Sequence, residues 1–234
     1  MRLDKLLCEC GKASRSEAGK LIRLGKVTVN GTVVKKADFK VDEHADKVTL
    51  GGCEVCYKKF TYIMLNKPEG YVSATDDPNE KTVLDLIDIE DRRKGLFPCG
   101  RLDKNTLGLV ILTNDGEGAH YVLSPKHHVK KLYRFECQAP LSSEDVKNLE
   151  NGIDIGGYFT KPCTINMEGL QSGTIALTEG KYHQIKRMLE AVDNKITYLE
   201  RISFGDILLD PSLERGQWRY LTKDEESIFL RTGK

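Results

Sequence analysis

The first apolar positions of the chain recur at helical spacing. Leu3, Leu6, Leu7 and Cys10 stand at positions i, i+3, i+4 and i+7, so one face of a helix would be apolar and the other polar. Gly11 follows directly and is a residue type that commonly ends a helix. The pattern predicts a short amphipathic helix at the start of the chain, with Cys10 in its core-facing row.

A second helix and a tight hairpin are predicted directly after it. Residues 14–17, Ser-Arg-Ser-Glu, are typical of a capping box, in which the Ser and Glu side chains bond free amides at a helix start. The apolar face of this helix is made by Ala18, Leu21 and Ile22. Polar and apolar residues then alternate over residues 26–29, as in a half-buried strand. Asn30 and Gly31 are typical of a type I′ turn, so residues 32–34 are expected to return as the second strand.

From residue 60 onward, short strand patterns alternate with a few helical ones. The predicted strands cover residues 60–65, 109–113, 132–137, 173–178, 199–209 and 218–221. The predicted helices cover residues 143–149, 185–192 and 224–230. Links of hairpin length and few βαβ units favour an α+β fold with a mixed, mainly antiparallel β-sheet.

Charge divides the chain unevenly. Residues 1–40 contain ten Lys or Arg against four Asp or Glu, a net charge of +6, whereas the whole chain is only +1. A basic lobe on a near-neutral protein favours a polyanionic partner, although an ordinary solvated lysine-rich surface would show the same charge. The basic side chains expected on its polar side are Arg15, Lys20, Arg23 and Lys26. Two glycines and a run of charges at 51–59 suit a flexible linker, so we expect domains over residues 1–50 and 60–234.

Composition excludes several other classes of protein. No apolar stretch approaches the roughly 20 residues of a membrane span, and the first residues lack the apolar region of a secretory signal. We therefore expect a cytoplasmic protein with no membrane partner. Seven cysteines, an odd number, fit free thiols better than a disulfide framework. The pairs Cys8/Cys10 and Cys53/Cys56 could in principle hold zinc, but the helical register of Cys10 favours a core role, so no metal site is expected.

Two segments about eighty residues apart carry the candidate chemistry. The first, residues 100–109, reads Gly-Arg-Leu-Asp-Lys-Asn-Thr-Leu-Gly-Leu, and the second, residues 179–188, reads Glu-Gly-Lys-Tyr-His-Gln-Ile-Lys-Arg-Met. Residues 131–133, Lys-Leu-Tyr, lie between them. An acidic residue on a glycine-bracketed loop, met by a basic helix, can be held ionised inside a pocket. Taken singly, the Asp would be read as a turn residue, the Tyr as core and the basic pair as a solvated helix face.

Together, these segments resemble the catalytic motifs of RNA pseudouridine synthases, specifically the ribosomal small-subunit synthase A family. The stretch 14–31 resembles an S4-like RNA-binding domain, which binds structured RNA by shape and phosphates. The resemblance covers nearly the whole chain. It implies the synthase fold, a mixed sheet whose central cleft holds the site, and a reaction that needs no cofactor.

The resemblance also implies roles for individual residues. Asp103 is expected to act as the nucleophile or as the base at the ribose, alternatives that the sequence leaves open. Lys186 matches the basic position that pairs with this carboxylate, where many relatives carry Arg, so the charge is kept while bidentate geometry is lost. Tyr133 matches the residue that packs against the target base and can relay the proton at C5.

Further residues are expected to serve the RNA. Arg101 would insert into the RNA or hold its backbone near the flipped nucleotide. His183 and Gln184 are grouped with the RNA-binding residues, where they would orient the loop and not perform chemistry. The run 126–131 contains His127 and His128 among lysines and resembles a phosphate-contacting patch. The two histidines make a poor metal site, because neighbouring residues on a strand point apart.

Two hypotheses about function follow. The first is a monomeric enzyme that isomerises a uridine of ribosomal RNA, in 16S RNA or alternatively in 23S RNA, free or in an assembling subunit. The second is a non-catalytic ribosome-assembly factor or RNA chaperone built from the same parts. A descendant without activity would be expected to lose the carboxylate or its partner. Asp103, Tyr133 and Lys186 are all present, which favours the enzyme.

Overall fold

The computed structural model describes residues 1–43, 45–55, 57–92, 94–127 and 129–230. The chain forms two compact units. The first comprises Met1–Thr61 together with Leu84–Phe97, and the second comprises Tyr62–Val83 together with the chain from Pro98 onward.

The N-terminal unit combines two helices with a small antiparallel sheet. Its elements are α1 (Leu3–Glu9), α2 (Arg15–Arg23), β1 (Val27–Val29), β2 (Thr32–Val33), β3 (Val48–Leu50), β4 (Cys53–Glu54) and the short helix α3 (Ile89–Arg92). The strand order is β2-β1-β3-β4. The helices pack their apolar rows on one another and on the sheet, and Leu3, Leu7, Ala18 and Ile22 are fully buried. This burial confirms the two predicted amphipathic helices.

Local signals in this unit act as predicted. The Ser14 side chain accepts from the Glu17 amide, and the Glu17 side chain accepts from the Ser14 amide, which completes the capping box at the start of α2. Asn30 and Gly31 both have positive φ, +50° and +81°, as a type I′ turn requires. Cys10 is 8% exposed and belongs to the core, as its register predicted.

The segment expected to be a flexible linker is structured over part of its length. Gly51 and Gly52, both with positive φ, close a hairpin in which β4 pairs with β3, and Val55 is 7% exposed. The two glycines therefore form a tight turn, and the hairpin is stabilised because Val55 packs into the core of the unit. Residues 84–97, expected in the larger domain, group with the N-terminal unit.

The second unit is built on one mixed sheet. Its strands are β5 (Tyr62–Lys67), β6 (Phe97–Cys99), β7 (Leu107–Thr113), β8 (Lys131–Cys137), β9 (Thr164–Met167), β10 (Ser172–Leu177), β11 (Ile196–Phe204), β12 (Ile207–Leu208) and β13 (Trp218–Tyr220). Their order is β13-β5-β7-β11-β8-β10-β9, with β6 beside β7 and β12 beside β11. The β7–β11 pair is parallel and its neighbours are antiparallel. This is the predicted α+β architecture with a mixed, mainly antiparallel sheet.

Burial along the strands shows which faces are covered. All of β5 and nearly all of β7 are buried, as expected for central strands that are covered on both faces. In β8 burial alternates, so Lys131, Tyr133, Phe135 and Cys137 share the covered face. The helices are α4 (Gly116–Leu123), α5 (Ser143–Asn151), α6 (Gln184–Glu190) and α7 (Lys223–Leu230).

Helix α4 was not predicted, although it closely follows the predicted strand at 109–113. Asp115 in fact caps this helix, since its side chain accepts from the Gly118 amide at 3.0 Å. Within the described residues, no helix is long and apolar enough to cross a membrane.

Candidate active site

Asp103 lies on the loop that joins β6 to β7. Gly100 begins this loop with a φ of +85°, and the Thr106 amide donates to the Asp103 carbonyl at 3.0 Å, which forms a turn around the carboxylate. Ser73 braces the loop from the other side, because its hydroxyl donates to the Leu102 carbonyl and accepts from the Leu102 amide, both at 3.0 Å. The backbone on both sides of the carboxylate is therefore held by hydrogen bonds.

A buried lysine supports the same loop from beneath. The Lys67 ammonium, at the end of β5, donates to the carbonyls of Pro68, Lys104 and Thr106 at 3.0, 3.0 and 2.8 Å. Two of these carbonyls belong to the Asp103 loop. Burial lowers the pKa of Lys67 to about 8, although three acceptors fully satisfy its donors.

Lys186 meets the Asp103 carboxylate directly. Its Nζ lies 3.0 Å from Asp103 Oδ2, and both side chains are 26% exposed. On the other side, His183 Nε2 lies 3.5 Å from Asp103 Oδ1. The two motifs that stand about eighty residues apart in the sequence are therefore brought together at one carboxylate, as predicted.

The loop before α6 is held by a buried carboxylate that was not among the predicted site residues. Glu179, 6% exposed, accepts from the Tyr158 hydroxyl at 2.7 Å, from the Lys161 amide at 3.0 Å and from Gln184 Nε2 at 2.7 Å. Gln184 is itself 4% exposed and accepts from the Lys181 amide at 2.9 Å. Its amide thus orients the loop, while its grouping with the RNA-contacting residues stays a prediction.

His183 is held in an unusual backbone conformation beside an exposed ring. Its φ of +51° lies in the left-handed region, which is uncommon for a residue other than glycine. The Tyr182 ring, 73% exposed, stacks on the His183 ring with centroids 3.8 Å apart. The turn aims the imidazole inward at Asp103 and leaves the tyrosine at the rim.

Tyr133 and the Asp103–Lys186 pair line one cavity, which Tyr133 enters from the sheet. It lies on β8 opposite Arg201 on β11, and it is 9% exposed. The cavity has a volume of about 780 Å³, and its wall includes Asp103, His183 and Lys186 as well as Tyr133. Arg101 is exposed and also belongs to this wall. The three residues assigned to catalysis therefore share one cavity, which is large enough for a nucleoside.

Two further cations of this cavity are buried. Lys131, expected on an exposed phosphate-contacting patch, is 8% exposed because it begins the covered face of β8. Arg201, which no motif singled out, is 1% exposed. In the sequence, the only indication of its role is that a charged residue stands within a mainly apolar strand pattern, at 196–204.

Neither the histidines of the 126–131 run nor the cysteine pairs form a metal site among the described residues. His127 belongs to a 3-10 helix, not to a strand, and its ring packs against Tyr121 at a tilt of 34°, while His128 lies outside the described residues. Cys53 is exposed, and Cys56 also lies outside the described residues. No group of His, Cys, Asp or Glu within the described ranges is arranged to hold a metal ion.

The basic side chains predicted for RNA binding in the N-terminal unit are all exposed. They are Arg15, Lys20, Arg23 and Lys26. Arg15 also lies 3.9 Å from the Asp4 carboxylate. Lys20 and Arg23 are exposed side chains of α2, and Lys26 directly precedes β1. Their exposure agrees with the predicted role and does not test it.

Comparison with protein families gives two matches. Residues 61–191 match the family described as RNA pseudouridylate synthase, and residues 1–47 match the S4 domain. The first match contains the residues that form the Asp103–Lys186 pair and Tyr133.

Individual relatives align over nearly their full length. The chain is 45% identical to the "Uncharacterized RNA pseudouridine synthase YtzG" of Bacillus subtilis, over 96% of both chains. It is 39% identical to the "Ribosomal small subunit pseudouridine synthase A" of Salmonella typhimurium, over 96% of this chain and 98% of the relative. A crystal structure of a pseudouridylate synthase superposes with a TM-score of 0.69 at 35% identity, covering 98% of this chain and 99% of the other.

Proposed function

Since this chain belongs to the RNA pseudouridylate synthase family and carries an N-terminal S4 domain, we propose that it isomerises one uridine of ribosomal RNA, in the 16S RNA of the small subunit. The relatives named ribosomal small subunit pseudouridine synthase A, which align from end to end, support this substrate. The observation that carries the proposal is the Asp103–Lys186 ion pair in the wall of a nucleoside-sized cavity.

Asp103 performs the first chemical step at the ribose. The reaction breaks the bond between uracil N1 and C1′, turns the base, and joins C5 to C1′. The carboxylate attacks C1′ as a nucleophile or removes a ribose proton as a base, and both roles need it ionised and fixed. Lys186 provides the counter-charge at 3.0 Å, and the bracing of the loop by Lys67 and Ser73 fixes its position.

The other groups hold the nucleotide in the cavity. Tyr133 presents its ring from the sheet, so it packs against the base and its hydroxyl relays the proton lost from C5. Arg101, exposed beside the carboxylate, contacts the RNA around the flipped nucleotide. The rearrangement moves no electrons to an outside acceptor and transfers no external group, so no cofactor is required.

The N-terminal unit brings the RNA to this site. Its exposed cations would neutralise phosphates of folded RNA, which is how a basic face binds RNA without reading sequence. All of the groups named here belong to one chain, so we propose that the protein acts as a cytoplasmic monomer on ribosomal RNA or an assembling ribosomal subunit.

Pseudouridine formation can be tested directly with purified protein. We expect conversion of one uridine when the protein is incubated with 16S RNA or with immature small subunits, mapped by chemical labelling of pseudouridine and primer extension. Asp103→Asn keeps the size of the side chain and removes its charge, so turnover should vanish while RNA binding remains within about twofold. Conversion only in 23S RNA would refute the substrate, and conversion by the Asn variant would refute the role of Asp103.

A further inference from the structure

The wall of the cavity contains two buried cations that no carboxylate of the described residues neutralises. Arg201 is 1% exposed and Lys131 is 8% exposed, and both belong to the cavity wall. In the part of the chain that the structure describes, neither side chain forms an ion pair. Buried charges are ordinarily paired, so this arrangement needs an explanation.

Hydrogen bonds satisfy these cations only in part. Arg201 Nε donates to the Leu109 carbonyl at 2.8 Å, but Nη2 is buried and has no hydrogen-bond partner among the residues that the structure describes. Lys131 Nζ donates to the Val129 carbonyl at 3.3 Å. Both cations lie near the Phe204 ring, 5.5 and 5.6 Å from its centroid, which offers only weak attraction to each.

The nearby thiol does not supply the missing negative charge. Burial raises the pKa of Cys99 to about 12, so this thiol stays neutral near pH 7. Burial lowers the pKa of Lys131, and the positive charge of Arg201 lowers it further. The free protein therefore holds the Lys131 ammonium in a buried place beside a second positive charge, where its own charge is disfavoured.

The position of the two cations relates them to the target base. Arg201 lies directly opposite Tyr133 across the β8–β11 pair, so their side chains share one face of the sheet. Lys131 stands two residues before Tyr133 on β8, again on that face. A uracil packed against the Tyr133 ring would therefore lie beside both positive charges.

We propose, on the basis of the function proposed above, that Lys131 and Arg201 stabilise the negative charge that develops on uracil as its bond to C1′ breaks. The electron pair of that bond goes to N1 and spreads to the carbonyl oxygens of the base. If Asp103 is the nucleophile, its oxygen forms the new bond to C1′. If it is the base, it takes the C2′ proton and a C1′–C2′ double bond forms. The uracil departs with the electron pair in both cases.

The second half of the reaction consumes this charge. The base turns, and the electrons of the anion form the bond between C5 and C1′. In the first case the Asp103 oxygen leaves C1′, and in the second the proton returns to C2′. Forming this bond neutralises the base. C5 then loses its proton and N1 gains one, which restores the conjugated ring. Fixed cations aimed at a transient charge are an effective source of catalysis in a water-poor site.

A leaving-group experiment tests this role. Fluorine at C5 makes uracil more acidic, so the departing base needs less stabilisation by the protein. We would measure cleavage of the original N-glycosidic bond under single-turnover conditions, in RNA with uridine or 5-fluorouridine at the target, for wild type, Lys131→Met and Arg201→Met. Each variant should slow the uridine reaction by about 100-fold, with little change in RNA affinity. The defect should shrink at least several-fold with 5-fluorouridine.

The alternatives give different results. An equal defect with both bases, or a defect confined to RNA affinity, would overturn the proposal. Lys147→Met removes an exposed charge on α5 and should leave both rates unchanged. Wild-type protein that converts no uridine would instead contradict the proposed function, whereas active wild type with a base-independent defect would contradict only this inference.

Thermal unfolding provides a measurement independent of activity. Removing an uncompensated buried charge should not destabilise the fold, so Lys131→Met should unfold at or above the wild-type temperature. The same substitution at Lys67, whose ammonium makes three hydrogen bonds, should lower the unfolding temperature. If Lys131→Met were destabilised as strongly as Lys67→Met, or failed to fold, Lys131 would be a structural residue and the proposal would be overturned.

Discussion

Replacing Lys67 with methionine tests how firmly the Asp103 loop is held. The substitution nearly keeps the length of the side chain and removes its ammonium group. The carbonyls of Pro68, partly buried, and Thr106, buried, then lose their donor, whereas the Lys104 carbonyl still accepts from the Gly70 amide. Each unpaired carbonyl costs about 1–3 kcal/mol, with partly buried groups at the lower end. Removing a dehydrated charge returns some of this free energy. We therefore expect a net loss of about 2 kcal/mol in the free energy of unfolding.

Tryptophan fluorescence during denaturant unfolding measures this loss. Trp218 is the single tryptophan of the chain and lies on β13 opposite Leu65 of β5, two residues before Lys67. The matched control is Lys104→Met, on the same loop, whose ammonium pairs with an exposed Glu80 carboxylate. Because exposed ion pairs contribute little, the control should change the free energy of unfolding by less than about 1 kcal/mol. A Lys67→Met protein as stable as this control would refute the reasoning.

The pH dependence of stability provides a second measurement on the same variant. The pKa of Lys67 is about 8 in the folded protein, against an ordinary value of 10.5. Between these values the unfolded chain retains a proton that the folded chain has released, so wild type should gain stability relative to Lys67→Met as pH rises. The gain is at most about 1.4 kcal/mol per pH unit. Parallel curves for wild type and variant would contradict the lowered pKa.

Two other changes separate catalysis from RNA binding. Lys186→Met should reduce single-turnover conversion by about 100-fold or more, because a partly buried carboxylate loses its counter-charge, whereas Lys186→Arg should stay within about tenfold. Near-normal turnover of the Met variant would mean that the pair is not needed. Replacing Lys20, Arg23 and Lys26 together with Gln should weaken RNA binding and reduce the slope of log affinity against log salt by about 2, while Lys147→Gln leaves it unchanged. An unchanged slope in the triple variant would mean that these side chains do not contact phosphates.

Local patterns were sufficient to predict the N-terminal unit. A capping box, a helical apolar row and an Asn-Gly turn each act over a few residues, so Ser14, Glu17, Asn30 and Gly31 could be placed without knowing the rest of the fold. The meeting of Asp103 and Lys186 was also predicted, although from resemblance and not from any local pattern.

Features that depend on long-range register could not be predicted. Arg201 becomes a cavity residue only because β11 pairs with β8 so that it faces Tyr133, and nothing within a few residues of it indicates this partner. The role of Glu179 likewise depends on Tyr158, which approaches across a loop. The hairpin of β3 and β4 inside the expected linker was not predicted for a related reason, since the apolar Val55 packs into a core formed by distant residues.

The parallel pairing of β7 with β11 has a consequence for folding during synthesis. As the chain is synthesised from its N-terminus, β5 and β7 can pair early, and β8, β10 and β9 can pair among themselves, but the two groups share no edge until β11 enters between them. Asp103 belongs to the first group, and Tyr133 belongs to the second. Joining them requires contacts between residues about 93 positions apart, Leu107 with Glu200 and Gly108 with Arg201, which is a slow step in folding. A nascent chain therefore has no assembled cavity until residue 204 has been made, and any truncation before that point separates the carboxylate from the ring it works with.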